Sequence, residues 1–213
     1  MARVPCIYVL AGANGAGKSS IGGAAFQQQG SDYFNPDDAT SRILARNAGI
    51  SQTQANSWAW HQGRRLLERA ISERRDFALE TTLGGSTISR LLVGAILAGI
   101  EVRVWYVGLE SPELHIARVR ARVRRGGHDI PDAKIRERYT HSRMNLIRLM
   151  PRLTELMVYD NTRDADPAAG VAPEPQLILH LVRGEIMRSC DLNAAPDWTK
   201  PILAAAIRLS HPR

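Results

Sequence analysis

Two cysteines, Cys6 in an apolar run and Cys190 near the C-terminus, are all that the chain contains. They form neither a disulfide framework nor a metal-ligand spacing, so both read as ordinary reduced thiols. Long apolar runs are also missing. The first, Val4 to Ala11, is broken at once by Gly12, too short for a secretion signal or a membrane span, and no later run is long enough either. A soluble, cytoplasmic protein is expected. There is no internal repeat and no low-complexity tail, and 213 residues at 44% hydrophobic can bury a full core, so residues 1–213 read as one domain. Lysine is scarce as well, with only Lys18, Lys134 and Lys200. The net charge of +7 and the pI near 10.0 therefore rest on arginine.

Much of that arginine falls in one region: Arg118, Arg120, Arg122, Arg124, Arg125, Arg136, Arg138, Arg143 and Arg148. No aromatic residues interleave with the first five, as a base-stacking platform requires. The cluster therefore suits nucleotide phosphates better than a nucleic-acid track, with Arg120 and Arg124 read as a solvated helix face.

What is present is more specific. Gly12-Ala13-Asn14-Gly15-Ala16-Gly17-Lys18-Ser19 directly follows the apolar run Ile7 to Ala11, and matches the pattern of a phosphate-binding loop. A glycine-rich turn lets the main chain curl closely enough to aim several N–H groups at one triphosphate. Lys18 then reaches the β- and γ-phosphates, and the Ser19 hydroxyl suits Mg²⁺. The helix opening at the turn, read as Lys18 to Gln29, adds its positive dipole end. This pattern arises by chance in on the order of one in a hundred chains of such length. Its place between a strand-like run and a helix makes it more specific still.

Strand and helix alternate along the rest of the chain. Phe77 to Glu80, Val102 to Leu109, Leu156 to Tyr159 and Leu177 to Val182 read as buried strands, with Tyr33-Phe34 as a short extra one. Helices are expected over Asp37 to Asn47, Ser51 to Arg75, Ser86 to Ala98, Ser111 to Arg125 and Pro131 to Leu149. Ser111-Pro112 gives the fourth a clear start, and Asp129-Ile130-Pro131 gives the fifth a looser one. The pattern is that of an α/β domain: a parallel sheet with helices on both faces and an arginine-rich helical lid at about 111–149. The segment after Val182 and the Pro/Ala-rich loop Pro167 to Pro175 receive no functional role.

Ligands on such sheets bind at the carboxyl ends of the strands. Three ends carry polar groups. At Asn35-Pro36-Asp37-Asp38 an aspartate is placed either to take a proton from a substrate hydroxyl or simply to cap its helix. Glu80, ahead of Thr81 and Thr82, suits either a Mg²⁺-bound water or a substrate hydroxyl. Asp160-Asn161 is a weaker candidate for the nucleotide's base or ribose. In the lid, Arg118, Arg122 and Arg125 share one helical face, and Gly126-Gly127 is a hinge over which their guanidinium groups can swing toward a triphosphate. His128 reads as a turn residue rather than a metal ligand. Trp58 and Trp60 face different sides of one helix, so at least one is expected in the core.

Together the phosphate loop, Phe34 to Asp37, Asp76 to Thr82, Arg122 to Pro131 and Val158 to Asn161 resemble the zeta-toxin family of P-loop kinases, in its compact Gram-negative type. The resemblance runs from about Val4 to Asn161. It implies an ATP- and Mg²⁺-dependent kinase that phosphorylates the 3′-hydroxyl of the sugar in UDP-N-acetylglucosamine, the toxin of a toxin–antitoxin pair. On that resemblance Asp37 is the general base and Lys18, Arg118 and Arg122 stabilise the transferring group. The loop from Gly12 to Ser19, Arg122, Arg125 and Asn161 hold ATP, Ser19 holds the metal, and Asn35, Asp37, Glu80, Thr81 and Thr82 meet the sugar. The lid is shorter and richer in arginine than in the Gram-positive toxins. The partners implied are ATP, a small-molecule acceptor and an antitoxin protein, with no membrane. A kinase of another hydroxyl acceptor, such as an antibiotic or nucleoside, and an RNA-end kinase using the arginine surface are the alternatives.

Overall fold

The computed structural model describes residues 3–19, 21, 32–163 and 174–211. Its seven strands form one sheet in the order β2-β3-β1-β4-β5-β6-β7. These are β1 (Cys6–Ala11), β2 (Asp32–Phe34), β3 (Phe77–Thr81), β4 (Glu101–Gly108), β5 (Glu155–Asp160), β6 (Gln176–Val182) and β7 (Glu185–Ser189). The first five pair in parallel, with β1 between β3 and β4. Near-continuous burial along β1 and β3 is what a central parallel strand covered on both faces requires. Six α-helices accompany them among the described residues: α1 (Pro36–Arg46), α2 (Gln52–Ser72), α3 (Ser86–Leu97), α4 (Pro112–Arg124), α5 (Asp132–Leu149) and α6 (Lys200–Ser210). Of the helix expected after the phosphate loop, Lys18, Ser19 and Ile21 are helical, and the remainder lies outside the described residues. So does most of the loop Pro167 to Pro175.

The helix starts follow local chemistry. Ser51 and Gln54 form a reciprocal capping box at α2, and the Ser111 hydroxyl accepts from the Leu114 N–H at α4, with Pro112 at its first turn. Pro131 itself is the residue that enters α5.

The sheet is mixed rather than wholly parallel. Strand β6 runs antiparallel to β5, and β7 antiparallel to β6. The Arg183-Gly184 turn joins β6 to β7 with positive φ at both residues, the twist that a two-residue hairpin needs. Strand β7 escapes a hydrophobicity reading because its face is largely exposed.

The chain beyond Val182 closes the core. Trp198, Ile202, Leu203 and Ala206 are buried with the sheet residues. The Trp198 ring lies where a Cβ on Gly108 would approach within 2.4 Å, and its indole N–H donates to Asp160 Oδ1 at 2.7 Å. The expectation of a core tryptophan on α2 fails: Trp58 is 49% and Trp60 42% exposed. The buried stripe of α2 is made of small residues, Ala55, Ala59 and Gly63, followed by Leu67 and Ala70. Phe34 presses on Gly63 closely enough to exclude a Cβ, which leaves no room for an indole beneath.

The lid has a small core of its own, Ile116, Val119, Ile130 and Ile135. The far end of α5 joins the main core through Leu146 and Leu149. The lid is thus anchored at one end.

Truncating Ile202, which is 1% exposed, should cost about 2–5 kcal/mol as Ile202→Ala. Leu192→Ala, at an exposed position, should change stability by less than about 0.5 kcal/mol. Denaturant titration of the two variants reads this directly, and equal midpoints would show that the C-terminal segment is not part of the fold.

Candidate active site

At the carboxyl end of β1 the loop from Gly12 to Ser19 turns under tight steric control. Gly12 has φ +142°, and a Cβ there would lie 2.1 Å from the Val107 carbonyl oxygen. Gly15 has φ +82°, with the His115 carbonyl oxygen 2.6 Å from where a Cβ would be. Neither position admits a side chain. Asn161 braces the loop from β5, its amide donating to the Ala16 carbonyl at 2.9 Å. His115 braces it from α4: this buried imidazole lies 2.7 Å through Nδ1 from the Asn14 carbonyl. A carbonyl can only accept, so Nδ1 carries the proton. Burial lowers the His115 pKa from 6.5 to about 4.

Lys18 and Ser19 meet the end of β3. The Lys18 ammonium lies 3.5 Å from Glu80 Oε1 and donates to the Ala13 carbonyl at 3.4 Å. Glu80 Oε2 accepts from the Ser19 hydroxyl at 2.9 Å, the Tyr33 hydroxyl at 3.1 Å and the Asn35 amide at 3.2 Å. Burial and the Glu80 carboxylate push the Tyr33 phenol well above its usual range. Thr81 and Thr82 follow on the same rim, their hydroxyls accepting from the N–H groups of Leu83 and Gly84.

At the end of β2 the helix cap is supplied by Asn35 rather than by Asp37 or Asp38. Its side-chain oxygen accepts from the N–H groups of Asp37 and Asp38 and so caps α1. The Asp37 carboxylate is left to face the lid, where Arg122 Nη1 reaches Oδ2 at 2.9 Å and His128 Nε2 lies 3.7 Å from Oδ1. Arg122 also donates to the His128 carbonyl at 3.4 Å.

The lid arginines divide by partner. Arg118, Arg122 and Arg125 all line the cleft, and Arg118 reaches the Thr162 and Arg163 carbonyls. Arg120, by contrast, pairs with Asp132 at the surface, and Arg136 with Glu113. Arg138, on α5, belongs to the arginine-dense region but not to the α4 face expected over the triphosphate. It donates to Asn14 Oδ1 at 2.7 Å, and burial lowers its pKa. Its spacing from the α4 arginines carries no signal, since the turn between α4 and α5 sets its direction. Arg118, Arg122, Arg125 and Arg138 line one cleft of about 1120 Å³, with Gly15, Gly17, Lys18, Ser19 and Asn161 at one side and Pro36, Asp37, Trp60 and Arg64 at the other, whereas Asn35, Arg120 and Arg136 do not line it. Among the described residues no group of three histidine, cysteine or carboxylate side chains clusters as a metal site.

The sequence profile described as Zeta toxin matches residues 2–166. An uncharacterized protein of Haemophilus influenzae is 30% identical over 129 residues, which is 60% of this chain and 88% of that protein. Among solved structures, AvrRxo1-ORF1 in complex with AvrRxo1-ORF2 and sulphate ions superposes with a TM-score of 0.67 at 16% identity. The match covers 98% of this chain and 64% of the length of that one. The same complex has been solved with ATP, with a TM-score of 0.64 at 15% identity. The PezAT toxin–antitoxin system of Streptococcus pneumoniae gives 0.57 at 18% identity, over 75% of this chain and 68% of that chain. At these identities the structures establish a shared α/β fold.

The neutral His115 brace makes loop integrity depend on pH. Its folded pKa of about 4 lies below the ordinary 6.5, so between those values the unfolded chain binds the extra proton. Stability contributed by the neutral imidazole is complete above pH ~6.5 and is lost as pH falls toward ~4, by up to about 3 kcal/mol. Denaturation midpoints measured across that window should fall with acid in the wild type and fall less in His115→Asn. Parallel profiles would refute the assignment.

Proposed function

The chain belongs to the zeta-toxin family, and from that premise we propose that it transfers the γ-phosphoryl group of ATP to a sugar hydroxyl of a UDP-sugar such as UDP-N-acetylglucosamine. The observation that carries the chemistry is the division of labour at α1. Asn35 caps the helix, so the Asp37 carboxylate lines the cleft with no structural duty in its own helix. A carboxylate at the edge of a phosphate-binding loop, facing mobile cations, is placed to act as a general base.

In the proposed reaction the acceptor oxygen attacks the γ-phosphorus while its proton passes to an Asp37 oxygen. The new O–P bond forms as the bond from the γ-phosphorus to the β,γ-bridging oxygen breaks, and ADP leaves with that oxygen. Phosphoryl transfer asks the protein chiefly to position reactants and neutralise spreading charge. The loop N–H groups and Lys18 do this from below, and Arg118, Arg122, Arg125 and Arg138 from the lid. Lys18 then exchanges its contacts with Glu80 and the Ala13 carbonyl for phosphate oxygens. Asn161 serves by holding the loop. Thr81 and Thr82 line the acceptor side, while the buried Asn35 holds Glu80 and the start of α1 in place.

The Ser19 hydroxyl and Glu80 carboxylate, joined at 2.9 Å, are hard oxygen donors of the kind that suits Mg²⁺. The ion, when bound with ATP, neutralises charge on the β- and γ-phosphates. The Glu80 contacts with Lys18 and Ser19 favour this metal-side role over direct contact with the sugar.

Membership of the family also supports an antitoxin partner, as in the PezAT system and the AvrRxo1-ORF1 complex with its ORF2 protein. The pairing of Arg120 and Arg136 with carboxylates weakens the case for a nucleic-acid surface.

Incubation with ATP, Mg²⁺ and a panel of sugar nucleotides, read by mass, should show a one-phosphate gain on a UDP-sugar. Asp37→Asn should lower that rate by roughly two to four orders of magnitude. Its ATP affinity and stability should stay close to wild type, because Asn35 still caps and the lost ion pair is half exposed. Transfer at the wild-type rate in Asp37→Asn would exclude it as the base, and no product from any sugar nucleotide would exclude the substrate class.

A further inference from the structure

The groups that brace the phosphate loop are themselves held, and the contacts run out to the C-terminal segment. Asn161, which donates to Ala16, directly follows Asp160 at the end of β5. The buried Asp160 carboxylate accepts twice on Oδ1, from the Trp198 indole N–H at 2.7 Å and from the Thr162 hydroxyl at 2.6 Å. The Thr162 hydroxyl oxygen in turn accepts from the Glu110 N–H at 3.0 Å, and the Thr162 carbonyl accepts from Arg118 at 3.2 Å. On the neighbouring strand the Trp198 ring fills the space over Gly108, whose carbonyl accepts from the Asn161 N–H at 3.0 Å. One indole thus touches both strand ends, β4 and β5, from which the Asn161 brace projects. A second route leaves the Trp198 carbonyl, which accepts from Arg143 of α5 at 3.4 Å. The Arg143 guanidinium lies 4.0 Å from the Tyr139 ring centroid, and Tyr139 stands edge-on to His115, the other brace, at 5.6 Å between centroids. Trp198, Asp160 and Thr162 do not themselves line the cleft.

We propose that Trp198 is a positioning residue for the nucleotide: through Asp160 it fixes the β4 and β5 ends, so that Asn161 keeps the phosphate loop, and Thr162 keeps Arg118, in place for phosphates. The inference rests on nucleotide binding at the phosphate loop. It adds that a residue outside the cleft, beyond residue 166 where the family profile ends, sets the affinity of that loop. Packing alone does not require the indole nitrogen, since an apolar ring would also fill the space over Gly108. A buried N–H needs an acceptor, and the one it finds is a carboxylate, which makes a stronger bond than a neutral carbonyl. That carboxylate sits one residue before the loop brace. Loss of the N–H frees Asp160 to shift, and the loop then has to be ordered when the nucleotide binds rather than beforehand. ATP and ADP share the loop contacts, so both are weakened alike.

The test titrates Mg²⁺-ATP and Mg²⁺-ADP into the full chain and four variants, at a temperature where circular dichroism shows each to be folded. Trp198→Phe keeps an aromatic ring and removes the N–H, and Thr162→Val removes the second donor to the same oxygen with little change in volume. Both should weaken ATP and ADP by about 3- to 10-fold, and hydrogen exchange without nucleotide should quicken at the amides of residues 13–18. Asp160→Asn, whose Oδ1 still accepts from both donors, should bind both nucleotides as the wild type does. Ile202→Ala, a cavity in the same segment, should lower stability and leave both affinities unchanged. Wild-type affinity in Trp198→Phe overturns the proposal, and so does an equal loss in Ile202→Ala, which would make the effect one of stability alone. Should Trp198→Phe not fold, Thr162→Val decides, and wild-type affinity there overturns the proposal. A wild type that binds neither nucleotide overturns the phosphate-loop reading and this proposal with it.

Discussion

The close packing of the glycine loop against three neighbouring elements is the constraint on which the site depends. Gly12 touches the Val107 carbonyl of β4, Gly15 touches the His115 carbonyl of α4, and Ala16 accepts from the Asn161 side chain at the end of β5. A loop of this kind has few interactions of its own and would otherwise be mobile, with its N–H groups bonded to water. Clasped from three sides, it keeps those groups arranged for a triphosphate before one arrives. The ordering cost is met during folding rather than at binding. His115 has to be neutral to take part, because a charged imidazole at 1% exposure would carry a desolvation penalty.

Around this fixed loop the mobile charges are provisionally paired. Lys18 rests on Glu80, and Arg122 on Asp37. Each pairing satisfies a cation that a phosphate can claim, and each releases a carboxylate suited to a different task. In the proposed reaction Glu80 stays beside Ser19, where Mg²⁺ would bind, and Asp37, freed from Arg122, takes the hydroxyl proton. The lid carries these arginines on a small hydrophobic cluster of its own, joined to the body by the far half of α5.

The phosphate loop, the alternation of strand and helix and the arginine lid are legible in sequence because each is a local signal. Glycine spacing, apolar runs and a Ser-Pro helix start need no tertiary knowledge. The antiparallel pair β6–β7 is less legible, since β7 is exposed and has no apolar alternation. Its one local sign is the Arg183-Gly184 turn. The solvent-facing tryptophans of α2 escape a sequence reading because the identity of the buried face depends on how closely Phe34 approaches Gly63. Asn35 as the cap, His115 as a brace and Arg138 over the loop are tertiary facts. Each joins residues from different elements, and no periodicity announces them.

On the proposed reading this preformed loop binds the triphosphate of ATP through Lys18. Calorimetric titration of Mg²⁺-ATP and Mg²⁺-ADP into wild type and Lys18→Ala, with circular dichroism confirming an unchanged fold, tests it most directly. Wild type should bind ATP, and Lys18→Ala should lose at least about tenfold in ATP affinity, as expected for a charge-assisted contact worth roughly 1.5–3 kcal/mol, together with all phosphoryl transfer. Equal ATP affinity in the two proteins, or transfer that persists in Lys18→Ala, would contradict it.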